Sequence, residues 1–202
     1  MKYTRRGSGR PLFLLHGFCS SSAIWSGVLG ALADEHDVIA VDWPGFGRGA
    51  QAAPLQGLPA YADALVALAD ELGIASFDVL GHSFSGFVAQ QLLCAVPGRV
   101  GRAVLYGAGL RVDGAARFEP MDQTLARLRA DGPRATARRV LGAWFRQGEQ
   151  APAYAGCLED GMTMSAAGAA SMIAAVAGVD YTQAPGLRVS RDPWPPRGRP
   201  RS

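Results

Sequence analysis

The chain has 202 residues, 49% of them hydrophobic, and a mean hydropathy of +0.07, which suits one core of ordinary size with at most a small accessory subdomain. No apolar run approaches the ~18 residues that cross a bilayer, and Gly7-Ser8-Gly9-Arg10 follows the basic residues 1–6 where a signal peptide needs its apolar stretch, so a cytoplasmic protein with no membrane partner is expected. The isoelectric point near 9.0 arises in residues 187–202, which hold five arginines and one acid; the 15 basic and 16 acidic side chains that remain make a near-neutral body and give no reason to expect a nucleic-acid partner.

Pro11-Leu12-Phe13-Leu14-Leu15 is a continuous apolar run and predicts a strand buried on both faces. Ser22 stands where it would cap a helix through Ala23-Ile24-Trp25 to Ala33, with Trp25, Val28, Leu29 and Leu32 at helical spacing. Val38-Ile39-Ala40-Val41 predicts the next strand, ending at Asp42. Apolar residues recur every three or four positions over 58–72, and Gly73 terminates that helix. Phe77-Asp78-Val79-Leu80 reads as a strand, 84–96 as a helix and Ala103-Val104-Leu105-Tyr106 as a further strand. This alternation predicts a mostly parallel sheet with crossover helices. From Asp113 the pattern changes. Residues 116–178 hold only helical stretches, broken at Gly132-Pro133, Gln150-Ala151-Pro152 and Gly161, and predict an all-helical insertion lying over the sheet. The three cysteines, Cys19, Cys94 and Cys157, cannot all pair within one chain and fit no zinc spacing, so each is read as a small buried apolar residue.

The strongest chemical signal is Gly81-His82-Ser83-Phe84-Ser85-Gly86 between a predicted strand and a predicted helix. A nucleophile elbow needs that context: the serine sits on a tight, strained turn, and small neighbours let strand and helix backbones approach. Ser85 stands where glycine is usual, a mild departure with Gly86 directly after it. A chance Gly-x-Ser in a chain with 26 glycines is the competing reading, and the strand-before, helix-after context weighs against it. His16-Gly17-Phe18 ends the 11–15 strand. A backbone amide from such a loop, paired with that of the residue after the nucleophile, can bind the oxyanion of acyl transfer; His16 itself reads as a structural histidine of a tight turn. Asp42-Trp43-Pro44-Gly45-Phe46-Gly47-Arg48-Gly49 follows the second strand, its glycines permitting a compact turn. The spacing fails the G-x-G-x-x-G pattern of a phosphate loop.

These three motifs, in this order and each at a strand end, closely resemble the α/β-hydrolase superfamily, and more narrowly its small bacterial esterase, enol-lactonase and C–C-bond hydrolase branch. The resemblance covers about residues 7–180. It implies an α/β-hydrolase core over 1–112, a helical lid over 113–178, and a lid connection with a Pro/Arg-rich tail over 179–202. It also implies Ser83 as nucleophile, the backbone amides of Phe18 and Phe84 as the oxyanion hole, and a small-molecule ester, lactone or related carbonyl substrate, with no metal or organic cofactor. Trp144, Phe145 and Met162 stand out as substrate-binding candidates among the apolar lid residues Phe118, Met121, Leu125, Tyr154, Met164 and Met172, although packing onto the core is the commoner fate of any one of them. A haloalkane dehalogenase would need aspartate at position 83 and is rejected. Nothing in the sequence marks an oligomeric state.

The family triad runs Ser, then Asp or Glu, then His, with the last two after the final strands. Here no histidine follows His82, and the stretch expected to lead into the acid reads Ser190-Arg191-Asp192-Pro193-Trp194-Pro195-Pro196. The chain is therefore expected to lack the last strands, by truncation or by a frameshift near residue 190, with a genuine disordered basic tail as the alternative. Asp113 offers a substitute acid, or else is a surface loop residue. A hydrolase inactive in this form and a hydrolase-fold protein that only binds a small molecule or partner both remain open at this point.

Overall fold

A computed structural model describes residues 1–112, 119–184 and 187; Asp113, Phe118 and the tail 188–202 lie outside the described residues. Five strands, β1 (Lys2–Arg6), β2 (Arg10–Leu15), β3 (His36–Asp42), β4 (Phe77–His82) and β5 (Val100–Tyr106), form one sheet in the order β1-β3-β2-β4-β5. β1 runs antiparallel to β3, and every other pairing is parallel. The sequence pattern predicted four of these strands. β1 escaped it because Lys2, Arg5 and Arg6 break the apolar signature; the strand sits at the sheet edge, where charged side chains reach water and deter pairing with other chains.

The reason for the buried runs is visible in the register. Leu12 lies opposite Val38 and Asp78, and Leu15 opposite Val41 and Gly81, so β2 is central and covered on both faces. One face carries α2 (Gly57–Glu71) and α3 (Phe84–Ala95), and there Phe13, Leu15, Ile39, Val41, Phe77 and Val79 join the large core cluster. The other face carries α1 (Ser26–Ala33), which covers Leu12, Leu14, Val38 and Ala40. That second cluster is small, and Val28 of α1 and Tyr106 of β5 remain 46% and 61% exposed. Among the described residues β5 has no partner on its far edge. α1 starts one turn later than its apolar spacing suggests. Ser21, not Ser22, is the cap, its hydroxyl accepting from the Ala23 amide, and Ser22–Trp25 is a 3-10 turn.

Three buried carboxylates bind the strands through arginines at the rim. Asp78 accepts from the Arg102 amide at 2.9 Å and pairs with Arg10 and Arg102; Asp37 pairs with Arg5, and Asp42 with Arg48. Arg48, in the turn after β3, thus neutralises a carboxylate only 1% exposed. Of the cysteines, Cys19 is buried, whereas Cys157 is half-buried and Cys94 is exposed, which corrects the uniform reading: Cys94 is the penultimate residue of α3, where the helix runs out from the sheet.

The described part of 113–178 contains α4 (Met121–Trp144), α5 (Tyr154–Gly161) and α6 (Ala166–Ala175) and no strand. α4 is kinked at Gly132, with φ 80° and ψ 175° before Pro133, as the Gly-Pro pair predicts. Two of the contacts that fasten the helical segment to the core stand out. Asp160 of α5 accepts from the Ser21 amide at 2.8 Å and from the hydroxyls of Ser20 and Ser21. Gly168 of α6 lies against Gly45, where a side-chain carbon on Gly45 would come within 2.5 Å of the Gly168 Cα. With no Cβ on either residue, the two backbones touch.

Candidate active site

Because β2, β3, β4 and β5 are parallel, the loops leaving all four emerge at one end of the sheet, which is where ligands bind in such folds. The loop 16–18, the loop 43–49, Ser83 and the loop 107–109 therefore converge, although they are far apart in sequence.

Ser83 joins β4 to α3 with φ 52° and ψ −115°. This is a left-handed conformation that costs a non-glycine residue roughly 1–3 kcal/mol and persists only where the surroundings impose it. They do so here through two backbone hydrogen bonds and two close approaches of glycine. The Ser83 amide donates to the Tyr106 carbonyl at 2.8 Å, and its carbonyl accepts from the Gly86 amide at 2.9 Å. A Cβ on Gly81 would lie 2.1 Å from the Ser85 carbonyl oxygen, and one on Gly86 would lie 2.3 Å from the Ala108 Cβ. Only glycine lets strand, helix and neighbouring loop close on the turn. The Ser83 Cβ lies against the 16–18 loop, within 3.0 Å of where a Cβ on Gly17 would stand.

His16 is fully buried and makes both of its ring hydrogen bonds to backbone. Its Nε2 accepts from the Trp43 amide at 3.1 Å, and its Nδ1 is 2.8 Å from the Gly17 carbonyl. Since an amide N–H occupies Nε2, the proton belongs on Nδ1 and is donated to Gly17. Burial pushes the His16 pKa down to about 4, against the weaker opposing effects of the Gly17 carbonyl, Asp42 and Asp160. The ring is neutral, occupied and structural. His36 begins β3 at the opposite end of the sheet. His82 ends β4 with its ring 5.4 Å from that of Tyr106; burial lowers its pKa, and its Nδ1 has no hydrogen-bond partner. Among the described residues no hydrogen bond joins the Ser83 hydroxyl to any histidine, and no three His, Cys, Asp or Glu side chains gather as a metal site would.

Two cavities open on Ser83. One, of about 290 Å³, is bordered by Phe18, Phe84 and Phe87 on the core side and by Met121, Met172, Ile173 and Val176 on the helical side, with Arg111 among its lining residues. The other, of about 790 Å³, lies towards α1 and is lined by Trp25, His82, Tyr106, Trp144, Phe145 and Cys157, among others. Of the lid residues singled out in the sequence, Met121 and Met172 border the first cavity and Trp144 and Phe145 the second. Tyr154 and Met164 are buried in the core, Leu125 and Met162 pack half-buried against it, and none of the four borders either cavity. Phe87, Ile173 and Val176 had no distinguishing mark in the sequence; their periodicity announced only a packed helix face.

The sequence reading treated Ser85 as a tolerated substitute for glycine and gave Trp43 no role. In the structure Ser85 is fully buried; its hydroxyl donates to the His16 carbonyl at 2.5 Å and accepts from the Trp43 indole Nε1 at 3.0 Å. No local pattern could have revealed this, because the three residues belong to three different motifs.

A family model for the alpha/beta hydrolase fold matches residues 10–192. The chain is 35% identical to Lipase LipV of Mycobacterium tuberculosis over 144 residues, which cover 71% of this chain and 54% of the lipase. Among solved structures, a hydrolase from Pseudomonas aeruginosa PA01 superposes with a TM-score of 0.80 at 25% identity, covering 89% of this chain and 69% of that one. The enol-lactonase from Burkholderia xenovorans LB400 superposes with a TM-score of 0.79 at 21% identity, over 89% and 70% of the two chains, a likeness of fold. The chain spans about half or less of the length of the curated relatives it matches.

Proposed function

Given that the chain belongs to the alpha/beta hydrolase fold family, we propose that its site is built for acyl transfer on a small ester, lactone or related carbonyl compound, with Ser83 as the nucleophile. The observation that carries this reading is the Ser83 backbone, held at φ 52° and ψ −115° on the strand–helix turn against Gly17. The hydroxyl attacks the carbonyl carbon; the carbonyl oxygen gains the negative charge and is received by the amides of Phe18 and Phe84; the leaving group departs with a proton, and water then releases the acyl group from Ser83. The 290 Å³ cavity suits a small apolar acyl group. The larger cavity, with Trp144 and Phe145 on its wall, takes the leaving-group side. Met162, half-buried against the core and bordering neither cavity, is not part of this proposal. Helices α4 to α6 act as the lid, and a cytoplasmic enzyme of small molecules is the setting the reading assumes.

Among the described residues no histidine is placed to remove the Ser83 proton. His16 has both nitrogens engaged, His36 is at the far end of the sheet, and His82 makes no hydrogen bond to Ser83. Without a base, such a site retains only ~10³–10⁴-fold catalysis over water. We therefore expect a covalent Ser83 adduct on prolonged exposure to an alkyl fluorophosphonate, detected by intact mass and absent in Ser83→Ala. Turnover of p-nitrophenyl acetate should not exceed that of Ser83→Ala. Robust Ser83-dependent turnover would overturn the inactivity and point to His82 as base. Absence of any adduct would overturn the nucleophile assignment. The latter result would favour a second reading, a hydrolase-fold protein that binds a small molecule without chemistry, which the lack of a histidine bonded to the Ser83 hydroxyl among the described residues supports.

A further inference from the structure

We propose that Ser85 is a positioning residue of the oxyanion loop, its one hydroxyl tying the Trp43 indole to the His16 carbonyl so that the Phe18 amide is held towards Ser83. The inference rests on the Ser83 and Phe18 assignments above and adds a device to them that a glycine at position 85 would not provide.

A serine hydroxyl has one proton and two lone pairs. With the Trp43 Nε1–H donating into Oγ at 3.0 Å, the hydroxyl proton is left one acceptor, the His16 carbonyl at 2.5 Å. Ser85 and Trp43 are both fully buried, so water cannot substitute for either bond. The indole therefore sets the direction in which Ser85 donates. The next carbonyl along the chain, that of Gly17, is held by the His16 ring, whose tautomer is fixed in turn by the Trp43 backbone amide. Two consecutive carbonyls of the 16–18 loop are thus anchored, one by Ser85 and one by the His16 ring, and each anchor is held in turn by a separate group of Trp43. In a trans peptide the N–H points away from the C=O of the same unit. Fixing the Gly17 carbonyl consequently aims the Phe18 N–H, and fixing the His16 carbonyl stops the preceding peptide from turning with it. Ser85 is two residues past the nucleophile on the same turn, so the loop that supplies one oxyanion donor is bolted to the element that supplies Ser83 and the Phe84 amide. Preorganised donors act only if they stay aimed while charge develops on the oxygen, and rigid support of this kind is what a bare loop lacks.

The test measures covalent labelling of Ser83 by an alkyl fluorophosphonate in the full chain, resolving the maximal rate constant from the probe concentration at half-maximal rate. Ser85→Ala and Trp43→Phe are compared singly and together, each at a temperature where circular dichroism shows it folded. The expected result is a roughly tenfold lower maximal rate in Ser85→Ala with the half-maximal concentration unchanged. A smaller loss is expected in Trp43→Phe, and a double variant no slower than Ser85→Ala, because the indole acts through that hydroxyl. A general loosening of the fold would move both parameters and would add across the two sites. Should Ser85→Ala not fold, a several-fold fall in maximal rate for Trp43→Phe at unchanged half-maximal concentration supports the proposal, and an unchanged rate overturns it. A parent chain that labels normally, with folded Ser85→Ala within twofold of it, overturns this inference alone. A parent chain that forms no Ser83 adduct overturns the nucleophile assignment, and this inference with it.

Discussion

Acidification should weaken the fold through His16, and by an amount the structure sets. The ring is buried with Nδ1 committed to the Gly17 carbonyl and Nε2 to the Trp43 amide, so a second proton on Nε2 would face an N–H donor in a site closed to water. Its pKa is lowered to about 4, against about 6.5 in an unfolded chain. The unfolded state therefore binds the proton first. His16 costs nothing above about pH 7.5, and stability falls as the pH drops from about 6.5 towards 4. At pH 5 the unfolded imidazole is almost fully protonated and the folded one about a tenth so, which corresponds to a loss of about 2 kcal/mol relative to pH 7.5 and about 3 kcal/mol once both states are protonated. Urea unfolding at pH 7.5 and pH 5.0, for the parent and for His16→Gln, isolates the effect: carboxylates and His82 titrate in both proteins and cancel in the double difference. The parent should lose about 2 kcal/mol more than the variant over this interval. With only three histidines in the chain, NMR can also follow the ring directly. A double difference under about 0.5 kcal/mol, or a His16 ring that titrates above pH 6, would refute the tautomer and burial assigned here.

Ser83→Gly should raise stability by about 1 kcal/mol, since the left-handed backbone at φ 52° costs glycine nothing, while abolishing the covalent adduct; a loss of stability in thermal unfolding would show the turn is not strained. Gly81→Ala drives a methyl to within 2.1 Å of the Ser85 carbonyl and should cost about 3 kcal/mol or prevent folding. Gly27→Ala, in α1 with nothing within 4 Å of the new methyl, should be neutral or gain about 0.5–1 kcal/mol; equal urea midpoints for these two variants would contradict the packing described. Asp78→Ala removes a fully buried carboxylate that accepts from the Arg102 amide and pairs with Arg10 and Arg102, and should cost about 3 kcal/mol by urea unfolding.

Much of this was legible before any coordinates. The runs at 11–15 and 38–41 announced strands covered on both faces because a central parallel strand has no solvent face to spend on polar residues. The Gly81–Gly86 spacing announced a turn that only small residues could close, and Gly132-Pro133 announced the kink that α4 shows. β1 was not legible, because an edge strand that pairs on one side can carry three basic residues and lose its alternation. Phe87, Ile173 and Val176 gave no sign of bordering a cavity, since an apolar residue facing a hollow and one facing a neighbour have the same spacing along a helix. The exposed Cys94 shows the same limit from the other side: composition predicts the average burial of a cysteine and not the face it occupies.

The sequence by itself determined four of the five strands, their parallel arrangement and the strand–helix turn at Ser83, because those depend on periodicity and on steric rules that act over a few residues. The tertiary structure alone decided which side chains meet at the ends of the strands. Ser85, Trp43 and His16 belong to motifs separated by up to 69 positions, and their hydrogen-bond chain exists only because three parallel strands end at one level. The same holds for the histidines: each was visible as a residue, but whether a ring nitrogen is free to take a proton from Ser83 depends on partners that the fold, and not the neighbouring sequence, brings to it.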